Sequence, residues 1–310
     1  MKGVKKMSKV GIIGVGNVGA TVAHVIVQKG LVSELVLLDK KGKKAMSEML
    51  DLKDAGSFFS TYTKLSVGDY EDLADAEVII SALGHIDLIA ADADRFAELK
   101  MNEPEVKQVV KELKRVGFKG KLLVITNPCD VMTALYYQEL DLPHGQVIGT
   151  GTVLDTARMK HYVADALGID PRQVNGYVLG EHGDSQFVAW SSVFIGGKSI
   201  FDFVKEENLD LEALEDQARQ SGYHVHAGKG YTNVAIAEVA ACILEALLND
   251  AKSVMPVSHY HEEQDCYIST PAIIGRNGIE GGIKITLNER EETLLASSVK
   301  EIKEKSKKFS

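Results

Sequence analysis

Residues 11–19 read Gly-Ile-Ile-Gly-Val-Gly-Asn-Val-Gly. Val10 to Ile13 is an apolar run of strand length, and from about Val18 to Gly30 the apolar positions recur with helical spacing. Between strand and helix stand Gly14, Gly16 and Gly19, a G-x-G-x-x-G. Gly14 permits a tight turn, Gly16 lets the backbone approach a pyrophosphate, and Gly19 lets the helix pack closely on the strand. A diphosphate then lies at a helix N-terminus, where N–H groups lack partners, with Asn17 and Val18 as further candidate contacts. The next apolar strand, Leu35 to Leu38, ends in Asp39, 20 residues past Gly19. A carboxylate there can accept hydrogen bonds from an adenosine ribose and repels a 2′-phosphate. The motif therefore predicts NAD rather than NADP, although Lys40 and Lys41 follow directly. A glycine-rich turn with nothing bound is the bland alternative.

Working outward, apolar strands and helices keep alternating. A helix is expected over residues 42–56, strands at Leu65–Val67 and Val78–Ser81, and a helix from about Asp94 to Gly117 with a kink or boundary at Pro104. A strand at Leu122–Thr126, a helix at Val131–Leu140 and a strand at Val147–Gly149 follow. Such a series specifies an α/β fold, a Rossmann-type doubly wound parallel sheet covered on both faces. The pattern changes after Thr150. A helix over Thr152–Leu167, a hairpin from Val193 to Ile200 turning at Gly196-Gly197, and helices over 210–221 and 231–249 are expected. A three-strand meander over 253–287 and a charged helix from Glu289 close the chain. Two domains result, a nucleotide-binding one at 1–149 and an α+β catalytic one at 150–310, with no Ser/Gly linker between them.

Composition narrows the function. The chain has 310 residues, a formal net charge of −9 and no long basic run, which argues against nucleic acid or an anionic membrane as partner. Its 3 cysteines, Cys129, Cys242 and Cys266, are odd in number and not at metal-ligand spacing. That points to a reducing compartment, and the short, glycine-broken apolar run behind the basic start suits a strand better than a signal peptide, so a cytoplasmic location is expected. His224/His226 and His259/His261 are H-x-H pairs that would share a face on a strand, yet no third ligand completes a set, and no metal is expected.

Chemistry concentrates in the second half. His182 lies in Gly180-Glu181-His182-Gly183-Asp184, and a histidine can hold or release a proton near neutral pH. Asp155 and Arg158 are three residues apart in an expected helix and share a face. They form either an ordinary surface ion pair or a pair with work to do. Asp155 would then orient His182, and Arg158 would fork a substrate carboxylate.

In these residues and the stretches around them the chain resembles the L-lactate/malate dehydrogenase superfamily, and within it most closely the L-2-hydroxyisocaproate dehydrogenases of lactic acid bacteria. The stretches carrying the likeness are GIIGVGNVG (11–19), DRFAELK (94–100), VITNPCDVMTAL (124–135), VIGTGTVLDTARM (147–159), GYVLGEHGDSQFVAWS (176–191), GKGYT (228–232) and PAIIGRNG (271–278). The resemblance implies an NAD-dependent oxidoreductase of (S)-2-hydroxy acids. It implies His182 as proton donor and acceptor, Asp155 as its orienting carboxylate and Arg158 as the clamp on the substrate carboxylate. Arg95, on a loop that closes, would polarise the substrate carbonyl. Asn127 would lie near carbonyl and nicotinamide, Thr232 would wall the side-chain pocket, and Ile236 would touch the nicotinamide.

The loop at 85–94 bears on substrate size. It has no arginine to read a second carboxylate and it holds three aspartates, so malate is disfavoured. It is about two residues longer than in typical lactate dehydrogenases, and Leu88, Ile89 and Ala90 suit a branched 2-keto acid such as 2-ketoisocaproate. Counted from Gly84 the selectivity position falls at about Asp87, and counted back from Arg95 at about Ile89. Ile89 is expected, because the position should face an apolar substrate, with pyruvate as the alternative substrate. Lys160 and Asn175 stand where related bacterial enzymes bind fructose 1,6-bisphosphate through Arg and His, so no such activation is expected. The resemblance implies a homodimer or homotetramer. Two rival readings are a family-4-type NAD- and metal-dependent glycosidase, for which a Cys/His metal pair is wanting, and a non-enzymatic NAD-binding protein. The latter fits poorly with His182, Asp155, Arg158 and Arg95 all being present.

Overall fold

A computed structural model of the chain describes residues 8–84 and 95–307, without the side chains of 95–97. Six strands build the first half: β1 (Lys9–Ile13), β2 (Glu34–Leu38), β3 (Lys64–Val67), β4 (Val78–Ser81), β5 (Lys121–Val124) and β6 (Val147–Gly149). All pair in parallel, in the order 3-2-1-4-5-6, so the chain reverses direction of winding between β1 and β4. Alternation along the strands divides the core. Ile12, Ile80, Leu123 and Ile148 face one apolar layer, whereas Ile13, Ile79, Leu122 and Val147 face the other. Helices α1 (Asn17–Gln28), α2 (Gly42–Gly56), α3 (Arg95–Arg115) and α4 (Cys129–Glu139) cover these layers.

The expected boundary at Pro104 does not occur: α3 runs through it. Proline removes one helical hydrogen bond, but Leu99 before it and Val106, Val109, Val110 and Leu113 after it are buried in one cluster, which anchors the helix on both sides of it.

In the second half, α5 (Val153–Leu167) ends at Gly168, whose φ of 65° is the left-handed stop that glycine adopts freely. Short strands β7 (Val174–Asn175), β8 (Val178–Leu179), β9 (Phe187–Val188), β10 (Phe194–Ile195) and β11 (Lys198–Ser199) follow. The expected hairpin stops at Ser199, because Ser199 caps the next helix, α6 (Ile200–Glu207), by accepting from the Phe201 N–H. Helix α7 (Leu211–Lys229) is longer than expected and includes His224 and His226, so the strand geometry considered for that pair does not arise. Residues two apart on a helix point to different faces.

Helix α8 (Val234–Asn249) buries the small side chains of Ala237, Ala240 and Ala241, which lets it lie close against α1. The meander β12 (Ser253–His261), β13 (Cys266–Gly275) and β14 (Gly278–Gly282) does not make a sheet of its own. It adds antiparallel to β6 and extends the parallel sheet to nine strands among the described residues. Helix α9 (Glu289–Ser306), opened by a reciprocal cap between Asn288 and Glu291, packs back on β13.

Candidate active site

The glycine loop sits at the end of β1, beside the point where the strand order reverses, the place where open α/β sheets bind ligands. Gly14 has φ 91°, and a Cβ there would stand 2.7 Å from the Ala82 carbonyl oxygen. At Gly19 it would stand 1.9 Å from the carbonyl of Gly14, so α1 can start this close to β1 only without a side chain. Gly16 differs: among the described residues nothing lies within 4 Å of the place its Cβ would take. Its bareness serves no packing inside the protein and leaves a space over the backbone. The N-terminus of α1 has no side-chain cap and no acid in its first turn, so its N–H groups are available to an anion. These features fit a dinucleotide's pyrophosphate. Asp39 receives the Val15 N–H at 2.7 Å and the Lys41 N–H at 2.8 Å, which fixes its carboxylate beside the glycine loop with a lone pair left on each oxygen.

Asn127 is exposed just past β5, and its carbonyl accepts from Asn102 Nδ2 at 2.8 Å. Asn102 is a fully buried residue of α3 with nothing in its sequence context to mark it. Thr232 is half-buried in the turn between α7 and α8. Ile236, in the first turn of α8, packs on the core that contains Val15 and Val22. Asn233 Nδ2 donates to Thr21 Oγ1 at 2.8 Å and ties this turn to α1. Arg95 begins α3, but its side chain lies outside the described residues, as does all of Ile89.

His182, Asp155 and Arg158 are brought together. Nδ1 of His182 is 2.6 Å from Oδ2 of Asp155, and a carboxylate only accepts, so Nδ1 carries the proton and Nε2 is the nitrogen that can exchange a proton with a substrate. Arg158 NH1 donates to the other oxygen of Asp155 at 2.8 Å. This ion pair is no surface pair: the Asp155 side chain is 3% exposed and that of Arg158 14%. Burial alone would lift the Asp155 carboxyl, yet the His182 and Arg158 charges beside it hold it below the usual carboxylate range. Among the described residues, the guanidinium makes no further hydrogen bond beyond this one. It lies against Gly222 of α7, where a Cβ would come within 3.0 Å of NH2.

Several residues that sequence reasoning passed over hold this arrangement. The amide of Gln186, turned so that its nitrogen faces Asp155, lies 3.1 and 3.2 Å from the two carboxylate oxygens. The histidine loop is gripped by β13, where Gly180 and Ser269 exchange backbone hydrogen bonds of 3.0 Å. It is gripped by α9 as well: Ser298 Oγ accepts the Glu181 N–H, and Lys305 pairs with the buried Glu181 carboxylate. Asp130, in the first turn of α4, accepts the His182 N–H at 2.7 Å. A signal for Asp130 did exist, since it stands three residues past Asn127 in Thr126-Asn127-Pro128-Cys129-Asp130. Its partner is 52 residues away, which no local pattern reveals.

Among the described residues, no three His, Cys, Asp or Glu side chains converge as metal ligands, and no helix is long and apolar enough to cross a membrane. A doubly wound sheet with a pyrophosphate cradle, together with a histidine held by a buried carboxylate and a half-buried arginine, points to a dinucleotide-dependent oxidoreductase. Comparison with known proteins narrows the class. Residues 8–149 match the lactate/malate dehydrogenase NAD-binding domain and residues 152–310 the lactate/malate dehydrogenase α/β C-terminal domain. L-lactate dehydrogenase 1 of Bifidobacterium longum is 37% identical over 96% of each chain. L-lactate dehydrogenase 2 of Enterococcus faecalis is 35% identical over 96% of this chain and 95% of its own. The ligand-bound crystal structure of a minor L-lactate dehydrogenase from Enterococcus mundtii superposes with a TM-score of 0.94 at 35% identity, covering 98% of this chain and 99% of that one. The chain belongs to the lactate/malate dehydrogenase family. It is an NAD-dependent oxidoreductase acting on the CH–OH group of 2-hydroxy acids.

Proposed function

We propose that the protein interconverts pyruvate and (S)-lactate, with His182 as acid and base. The observation that carries the reading is the 2.6 Å contact between Nδ1 of His182 and the buried Asp155 carboxylate. It fixes the tautomer, presents Nε2 to the substrate and stabilises the imidazolium. Bound NADH supplies the hydride. As the carbonyl carbon accepts it, the carbonyl oxygen takes the proton from Nε2, and neutral His182 recovers a proton from solvent. In the reverse direction Nε2 takes the hydroxyl proton as hydride leaves the carbon. Arg158 holds the substrate carboxylate in a two-point fork, Arg95 stabilises the charge growing on oxygen, and Asn127 donates to that oxygen. The names of the similar proteins favour pyruvate. A second reading, a branched 2-keto acid such as 2-ketoisocaproate, draws support from the lengthened loop that carries Leu88, Ile89 and Ala90 in the sequence.

The domain division at about residue 150 is part of the proposal, as is a homo-oligomer, dimer or tetramer, acting in the cytoplasm. Exposed apolar side chains in one stretch of the chain support the oligomer: Phe58 is 91% and Tyr62 87% exposed, and Met46 and Leu50 of α2 are exposed as well. Lys160 is half-buried in α5 and Asn175 exposed on β7, and neither offers the Arg–His pair that a sugar bisphosphate would need.

NADH oxidation with pyruvate, 2-ketoisocaproate and oxaloacetate tests the reading. The highest kcat/KM is expected with pyruvate, and none of consequence with oxaloacetate. Reduction should fall and oxidation rise with increasing pH, since one needs His182 protonated and the other neutral. No turnover with any of the three acids would sink the assignment.

A further inference from the structure

We propose that Asp130 is a second positioning carboxylate for the catalytic histidine, holding its backbone as Asp155 holds its ring. The proposal rests on the reading of His182 as the acid and base. Asp130 is 1% exposed, a place where an unpaired carboxylate is costly. Its Oδ2 accepts the His182 N–H at 2.7 Å, and its Oδ1 faces the Ser269 hydroxyl at 3.4 Å. His182 is thus fixed at two points by carboxylates from two helices, α4 and α5. Helix α4 begins directly after the Asn127 loop, so Asp130 also sets the distance between that loop and the imidazole.

The surroundings show why the group is charged in spite of its burial. Burial pushes the Asp130 carboxyl up to about 6, and the neighbouring Glu181 pushes the same way, while the Ser258 hydroxyl, the His182 N–H and the His182 charge pull it down. Glu181 is itself neutralised by Lys305 from α9. Cys129 beside Asp130 and Cys266 on β13 both have thiols raised by burial, and the Asp130 charge raises them further, so neither competes with His182 for negative charge. On the far side of the imidazole, Asp155 is shared with Arg158. Among the described residues no cationic side chain pairs with Asp130 in the way Lys305 pairs with Glu181, and at neutral pH its charge favours the imidazolium.

Asp130→Asn keeps the shape and an accepting oxygen but removes the charge. The pH at which keto-acid reduction declines should move down by about one unit. The rise of hydroxy-acid oxidation should move down with it. The kcat for pyruvate should fall about tenfold while the KM for NADH stays within twofold. Profiles superimposed on those of the unaltered enzyme would overturn the proposal and leave the dehydrogenase reading standing. His182→Gln, measured alongside, separates the two, because full activity in that variant would overturn both. If Asp130→Asn does not fold, the unaltered enzyme still decides. The backbone amide proton of His182 should resonate far downfield, as a short N–H bond to a carboxylate requires, and should move as pH crosses about 6. An ordinary, pH-insensitive amide shift overturns the proposal.

Discussion

His182 and His259 stand in one molecule in opposite electrostatic surroundings. The His182 side chain is 25% exposed, with the Asp155 carboxylate on its ring and the Asp130 carboxylate on its backbone. His259, on β12, is a buried residue whose ring touches only neutral groups. Its Nδ1–H donates to the Tyr260 carbonyl at 3.1 Å, and its Nε2 accepts from the Thr270 hydroxyl at 2.8 Å. Burial lowers His259 to about 4 and keeps it neutral. The same side chain is thus a proton carrier in one place and a fixed piece of packing in the other. His259 is both the more deeply buried and the one with neutral hydrogen-bond partners, whereas His182 is partly exposed and faces carboxylates. Burial and the charge of the partners act together.

The most severe way to break the contrast is to give His182 surroundings like those of His259. Asp155→Asn leaves a neutral acceptor at the ring and releases Arg158 from its pair. The imidazolium loses its main support, and the kcat for keto-acid reduction should fall about a hundredfold or more. Addition of the pH profile makes the test specific, because the decline of reduction should start at lower pH than in the parent. An unchanged rate would remove Asp155 from the mechanism. A smaller effect is expected from Arg158→Lys. The ion pair with Asp155 can re-form, but a point charge replaces the two-point fork, so the KM for pyruvate should rise about tenfold to a hundredfold with NADH affinity retained. Loss of NADH affinity to the same degree, measured by fluorescence titration, would contradict the role given to Arg158.

The two histidines also show how far sequence reaches. The alternation of apolar strands and helices yields the parallel sheet in order, because each strand is a continuous buried run, and Gly14, Gly16 and Gly19 announce their places through spacing alone. Asp155 and Arg158 are readable as a pair, since helical geometry fixes residues three apart. Three other features depend on contacts between distant parts of the chain. The meander's docking on β6 is a matter of sheet edges, and nothing in residues 253–287 states which edge they meet. The continuity of α3 through Pro104 comes from burial on both sides of it. Asp130, Gln186 and Asn102 act through partners 52, 31 and 25 residues away, so nothing local names those partners, even though Asp130 stands close to Asn127 in sequence. His224-x-His226 and His259-x-His261 look alike in sequence, yet one pair lies on a helix and the other on a strand. Only the surroundings tell a reader that His259 is spoken for.

The mildest test addresses the packing histidine through stability. In the folded protein His259 titrates at about 4, whereas an unfolded chain holds histidine at 6.5. Between those values the unfolded state binds the extra proton, so stability is present above the unfolded value and is lost as pH falls towards the folded one. Asp130 works in the other direction. Its folded value of about 6 exceeds the ordinary 3.8, so the folded state binds the extra proton and stability grows as pH falls through that window. The two buried groups offset each other in the parent, which should show a shallow dependence near pH 5. His259→Gln removes one side of the balance while keeping a side chain able to donate and accept. Urea unfolding should then show that the substitution costs about 2 kcal/mol less at pH 5 than at pH 8. A cost independent of pH would mean that His259 takes up its proton as readily in the folded protein as outside it, and the contrast with His182 would fail at the packing end.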